Sequence, residues 1–251
     1  MKLYLTAMLI LTGITLGNAQ DFTYGLKAGT NFTSGGQIRG ISHKDEDTKE
    51  YVYFTGTSQA QSQTGYHGGG FLEMDFGDFF LRPEIIYTTL KTEFSFPAKN
   101  SVLTVKKLDL PLLLGYNFNK FAGLYAGPVY SPLFNSSLED KQASNSGKDE
   151  VWNDKLNSPD LPVNLQLGLK SQLLGIGIDL RYEYNLSSSQ PEEINMINSI
   201  GETIEGHVNK ATLEDSNFNQ LILSLSYDLS NLKNPNITGR KYSYSRRRRA
   251  R

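Results

Sequence analysis

The sequence predicts an all-β protein: an eight-stranded antiparallel up-and-down transmembrane β-barrel with long loops at one end and short turns at the other. Three observations lead there. Segments of about ten residues alternate between apolar and polar side chains. Tight turns and long polar connections alternate between those segments. An export leader opens the chain and no later stretch is long and apolar enough for a membrane helix, so a membrane-bound form must cross with strands.

The leader is MKLYLTAMLILTGITLGNAQ. Lys2 supplies the positive start, Leu3–Leu16 the apolar run, and Gly17-Asn18-Ala19 a small-x-small cleavage site, so residues 1–19 read as a signal peptide. The run of about 14 apolar residues is short of the ~20 that a spanning helix needs. The rest of the composition agrees. Twenty-three glycines, 14 tyrosines and 13 phenylalanines suit a sheet with many turns. The absence of cysteine removes disulfides, thiolate metal sites, cysteine nucleophiles and lipoprotein anchoring. A mean hydropathy of −0.39 is compatible with a barrel, whose strands are polar at every second residue.

Taken in order, FTYGLKAGTNF sets Phe22, Tyr24, Leu26 and Ala28 against Thr23, Gly25, Lys27 and Gly29. Segments 65–76, 79–90, 102–118 and 121–134 follow with less regular alternation. In KKLDLPLLLGYNF, Leu108, Leu110, Leu112, Leu114 and Tyr116 share a face, and Leu113 breaks the rule. Pro83, Pro111, Pro128 and Pro132 lie inside these segments and mark bulges or strand ends, because proline has no ladder donor. VNLQLGLK opposes Val163, Leu165, Leu167 and Leu169 to Asn164, Gln166, Gly168 and Lys170. IGIDLRYEYNL gives Ile176, Ile178, Leu180, Tyr182, Tyr184 and Leu186 one face, and QLILSLSYDL closes the set with Leu221, Leu223, Leu225, Tyr227 and Leu229.

Gly77-Asp78, Asn119-Lys120 and Leu174-Gly175 read as tight turns. The connections around 34–64, 91–101, 135–161 and 187–216 read as long or intermediate polar loops. Period alone does not separate this barrel from a soluble one with its apolar face inward. The leader, the loop lengths and the charge on the polar face favour the membrane form. With eight strands both ends of the chain fall on one side, and the short turns place that side in the periplasm.

The polar face carries Lys27, Glu73, Asp75, Arg82, Glu84, Lys107, Asp109, Lys170, Asp179, Arg181 and Glu183, five basic and six acidic residues. Eight strands enclose an interior only wide enough for side chains. A buried charge needs a partner, so the near balance predicts a lumen plugged by ion pairs. Beyond it, residues 230–251 hold eight of the 25 basic residues and none of the 26 acidic ones. Arg246, Arg247, Arg248, Arg249 and Arg251 end this basic periplasmic tail. Its candidate contacts are acidic protein faces, lipid headgroups and peptidoglycan carboxylates, with nucleic acid unexpected in that compartment.

Little points to chemistry. Of three histidines, His43 and His207 fall in long loops, and His67, beside Tyr66 and near Ser62, reads as a hydrogen-bonded rim histidine without a convergent acid. Asp45-Glu46-Asp47 and Glu139-Asp140 lack calcium-loop spacing and read as surface patches. Gly68-Gly69-Gly70 has no following lysine or helix and relieves crowding in the wall. Trp152 sits in a long loop. No catalytic group, cofactor or metal is expected.

The stretches GLKAGTNF (25–32), GYHGGGFLEMDF (65–76), FFLRPEIIYTT (79–89), LDLPLLLGYNF (108–118), GLYAGPVYS (123–131) and LRYEYNLSS (180–188) together resemble the PorT-like outer-membrane β-barrel family of Bacteroidota. The resemblance covers about residues 22–229. It implies an outer-membrane barrel in contact with lipid and lipopolysaccharide, and a link to secretion machinery. The chain departs from the family in following its last strand with the basic extension. The expected role is a non-catalytic scaffold or accessory subunit of an envelope complex, in secretion or outer-membrane protein assembly. A porin-like or ligand-binding barrel is the alternative, and a lipid-modifying enzyme is a third reading.

Overall fold

The computed structural model describes residues 21–39, 42–44, 51–53, 57–95, 100–119, 121–142, 150–155, 163–173, 175–186, 191–196, 209–214 and 218–230. The expected signal peptide, most of the long connections and the arginine tail lie outside the described residues. Fourteen strands run in chain order: β1 (Asp21–Ser34), β2 (Gln37–Arg39), β3 (Ser42–Lys44), β4 (Tyr51–Tyr53), β5 (Thr57–Phe76), β6 (Phe79–Ser95), β7 (Asn100–Asn117), β8 (Ala122–Gln142), β9 (Glu150–Asp154), β10 (Val163–Leu173), β11 (Ile176–Asn185), β12 (Glu192–Met196), β13 (Asn209–Glu214) and β14 (Asn219–Asp228).

Eight of them close a ring, all neighbours antiparallel. The order is β1-β14-β11-β10-β8-β7-β6-β5, and a pairing of β1 with β5 completes the circle. Closure leaves the ring without an open edge. The turn at 77–78 and the described residues on either side of 120 and 174 gather at one end with Asp21 and Ser230, here called the turn end. The outward residues form an apolar belt. Leu26, Leu114, Leu167 and Leu225 are each about 60 % exposed, and the exposed large apolar side chains of the described residues sit on ring strands or directly beside them. No charged residue interrupts the belt between Ile176 and Tyr184, a span of roughly 20 Å once strand tilt is allowed for.

The sheet is larger than the ring. It has twelve strands, because β2, β9, β12 and β13 extend it past the end opposite the turns. There β5, β6 and β8 run on well beyond the limits 65–76, 79–90 and 121–134 that alternation suggests, while β7 keeps within two residues of the expected 102–118. The expected loops at 34–64, 91–101, 135–161 and 187–216 contain strand. The physical reason is a change of phase. In the belt the apolar row faces out. In the extension Leu90, Phe94, Leu103, Val105 and Leu138 face in, with Ile38, Ile194, Ala211 and Leu213 packed on them, while Lys91, Lys106 and Glu93 face out. A reading tuned to apolar-out strands takes this inverted stretch for polar loop. The extension, or crown, is thus a small apolar-cored unit built on four strands of the barrel. Glu139-Asp140, expected in a surface loop, lies in β8, where Asp140 is fully buried and accepts a 2.6 Å bond from Ser101 Oγ.

The prolines are not strand ends. Pro83, Pro111 and Pro128 hold register with Leu112, Val129 and Leu165, and a bulge stands next to Pro111, between Leu108 and Leu110. The triple glycine is tight on one face only. A Cβ at Gly69 would lie 1.9 Å from the Ile85 carbonyl oxygen, whereas one at Gly70 meets nothing closer than 3.5 Å. Gly69→Ala should therefore lower barrel stability by about 1–3 kcal/mol, and Gly70→Ala should stay within about 0.5 kcal/mol of the parent. Urea unfolding followed by tryptophan fluorescence measures both, and equal midpoints for the two variants would contradict the register.

Candidate functional site

The candidate site is the lumen itself. Alternation along the eight ring strands points polar residues inward, and closure brings those rows within side-chain reach. Ten of the eleven charged residues singled out from the sequence are buried together. Asp75, the eleventh, is half-buried at the turn end, beyond Glu73 on the same face.

Lys27, Glu84, Asp179 and Arg181 form the centre. Lys27 Nζ lies 2.6 Å from Asp179 Oδ2 and 3.0 Å from Glu84 Oε1. Arg181 reaches Glu84 Oε2 at 2.9 Å and Asp179 Oδ2 at 3.2 Å. Arg82 links this centre to the turn end, with Nη1 3.2 Å from Asp179 and Nε 2.8 Å from Glu73. Lys170 Nζ sits 2.8 Å from both oxygens of Glu73. Tyr125 donates its hydroxyl to Asp179.

A second group lies toward the crown. Lys107 Nζ is 2.5 Å from Glu183 and 3.2 Å from Asp109. Thr88 and Ser131 donate to the two oxygens of Asp109 at 2.6 Å. Asn164, Gln166 and Gln220 donate to Glu183 at 2.6–2.8 Å. The first group sets four cations against three carboxylates and the second one cation against two. Their opposite residual charges offset one another. Gln166 joins them, accepting from Arg181 Nη1 at 2.9 Å while its amide donates to Glu183 at 2.6 Å.

Apolar layers bound the network at both ends. Phe80, Leu113 and Tyr125 pack at the turn end. There Lys170 Nζ stands 3.4 Å from the Phe80 ring centre, and the Arg82 guanidinium carbon 4.8 Å from that of Phe71. Glycines make room for these rings. A Cβ at Gly115 would fall 2.0 Å from Phe80, and one at Gly168 2.5 Å from Tyr125. The crown core closes the other end.

His67 departs from expectation. It is inside the lumen, 8 % exposed, with Nε2 2.8 Å from Ser224 Oγ, and is not at the rim; Tyr66 and Ser62 are exposed instead. His67, Asn31, Lys27, Thr88, Arg181 and Ser224 line a cavity of about 10 Å³, enough for about one water molecule. Among the described residues no cluster of metal-ligating side chains occurs. The sequence reading named the charges but not Tyr125, Thr88, Ser131, Gln220 or Ser224. The uncharged polar residues share the inward phase, and that was the available signal. Tyr125 shares the inward phase of Val129 and Ser131 but, as an aromatic residue, resembles the tyrosines of the outward belt. Trp152 falls in β9, opposite Asp140. Arg246–Arg249 and Arg251, expected to bind a partner, lie outside the described residues.

Comparison with known proteins agrees with this architecture. Residues 18–190 match the family model described as outer membrane protein beta-barrel domain. Among solved structures, OprG of Pseudomonas aeruginosa is similar at 10 % identity and a TM-score of 0.45, covering 84 % of this chain and 97 % of that one. The outer membrane protease OmpT of Escherichia coli is similar at 10 % identity and a TM-score of 0.42, covering 85 % and 99 %. Ail, the attachment invasion locus protein of Yersinia pestis, follows at 12 % identity and 0.36, covering 83 % and 99 %. No curated protein matches the chain.

Removing one partner from the network leaves buried charge without compensation. Arg181→Leu should cost about 3–5 kcal/mol of barrel stability. Adding Glu84→Gln should recover part of it, because the two residues share one network. Urea titrations of the single and double variants measure this coupling, and additive losses would rule it out.

Proposed function

The chain belongs to the outer membrane protein beta-barrel domain family, and from that we propose a non-catalytic scaffold or accessory subunit of an envelope complex, in secretion or outer-membrane protein assembly. The observation that carries this reading is the filled lumen. Ten buried charges pair across the barrel between two apolar layers, and the cavity lined by His67 and Asn31 holds about one water molecule. Such a barrel offers its surfaces rather than a conduit.

In this proposal the turn end faces the periplasm and the crown faces outward. The crown supports a docking role because its own core holds it rigid above the membrane. The resemblance to PorT-like barrels supports the link to secretion. Arg246–Arg249 and Arg251 would meet an acidic face of a periplasmic partner or peptidoglycan, and the apolar belt would meet lipid and lipopolysaccharide. The porin-like and ligand-binding alternative has less support, since the cavity is too small for a solute. A lipid-modifying enzyme would need reactive groups open to substrate, and His67 with Ser224 are enclosed among ion pairs.

Two measurements test the reading. In planar bilayers the purified protein should show no stepwise conductance at neutral pH, and regular single-channel steps would support the porin-like alternative. Full-length protein and a form lacking residues 233–251 should differ in affinity purification from mild detergent. Defined envelope proteins should co-purify with the first and be lost from the second. The same proteins with both forms would remove the tail from the mechanism, and none with either would sink the scaffold role.

A further inference from the structure

The outer wall changes character where β6 and β7 leave the apolar belt. Tyr66, Tyr87, Tyr130 and Tyr184 are all about half exposed or more and end the belt on four strands. Beyond them the outward row of β6 continues Thr89, Lys91, Glu93. That of β7 continues, from Leu108 opposite Tyr87, Lys106, Thr104, Val102. Lys106 stands opposite Thr89 and Lys91 opposite Thr104, so the two lysines are diagonal neighbours on one face of the sheet. Both are exposed, and the described structure gives neither an ion pair.

Strand tilt brings them level. Lys91 is four residues past Tyr87 and Lys106 only two past its partner, but each step from strand to strand in a barrel tilted about 40° changes height by roughly 3 Å. Both then lie roughly 7–9 Å beyond the tyrosines, at the depth of lipid headgroups. Their neighbours there are uncharged: Thr89, Thr104, Asn135 and Gln63. The first outward carboxylate on this wall, Glu93, comes one row higher, and the Gln63 and Asn100 amides donate to it at 2.6 Å. On the far side β1, β10, β11 and β14 end near this level, at Ser34, Val163, Asn185 and Asn219. Among the described residues, only the β5–β8 wall carries a ring-strand face through the headgroup zone.

We propose that Lys91 and Lys106 form a docking site for the phosphorylated sugar headgroup of an outer-leaflet glycolipid. Two ammonium groups at one height, fixed by paired strands, match the spacing-tolerant, anionic chemistry of sugar phosphates. The flanking Thr89, Thr104 and Asn135 supply hydroxyl and amide groups for the remaining oxygens. The acyl chains run down the wall over Tyr87, Ile85 and Leu112, which are about half exposed. The site rests on the outward placement of the crown proposed above.

The test is native mass spectrometry of full-length protein released from micelles containing diphosphoryl lipid A, phosphate-free lipid A or phosphatidylglycerol. The parent should retain diphosphoryl lipid A about tenfold over the other two, and Lys91→Gln with Lys106→Gln should reduce that preference to under twofold. Unfolding midpoints within error of the parent exclude misfolding, since both side chains are exposed. Equal retention by parent and double variant, or equal retention of phosphate-free lipid A by the parent, overturns the site. Retention of phosphatidylglycerol as strong as that of lipid A overturns the choice of lipid. Orientation is read separately. The chain has no cysteine, so Thr57→Cys on whole cells should react with an impermeant maleimide. Labelling only after permeabilisation would overturn the outward crown and with it the outer-leaflet glycolipid as occupant, whatever the retention in micelles.

Discussion

Everything in this protein depends on charge neutrality inside a ring of eight strands. A closed eight-stranded wall leaves an interior that side chains fill, so there is no bulk water to screen a charge. The five buried lysines and arginines of the network meet five buried carboxylates, and nearly every oxygen has a donor within hydrogen-bond distance. Balance is not achieved pair by pair. The centre around Asp179 has an excess cation and the group around Glu183 an excess anion, and Gln166 ties the two together. A residue without charge thereby joins the two halves of the network.

Size complementarity makes that network possible. Bulky aromatic rings lie over the neighbouring strand where their register partner has no side chain to meet them. Gly115 beneath Phe80 and Gly168 beneath Tyr125 are such places. The rings in turn accept cations on their faces, so the apolar layer at the turn end belongs to the electrostatics as well as to the packing. A pore would require removing several of these contacts at once, since each member holds two or three others.

The crown reverses the rule with the same strands. Along β6 the inward row reads Arg82, Glu84, Ile86, Thr88, Leu90, Thr92, Phe94, passing from charge to hydrocarbon within one uninterrupted strand. Inside the membrane wall the outward row faces lipid and must be apolar. Above it the outward row faces water, so hydrophobic burial can take place only inside. One continuous strand thus builds two units of opposite polarity. That continuity makes the crown a rigid extension of the barrel, and it fixes Lys91 and Lys106 relative to the membrane.

The amino-acid sequence alone determined the ring. Period-two alternation from Phe22 to Tyr227 reports directly on which side of a wall each residue faces, and Lys27, Arg82, Glu84, Asp179 and Arg181 were legible as lumen residues because parity along a strand is a local property. What only tertiary structure decided depends on register and on phase. Which carboxylate meets which cation follows from the shear of the closed ring, as with Lys27 and Asp179, which lie 152 positions apart. The burial of His67 against Ser224 follows in the same way. The crown escaped the sequence because its alternation is as regular as the belt's but inverted. Polarity along a strand says that two faces differ, and only the surrounding medium and the packed partners say which face is inside.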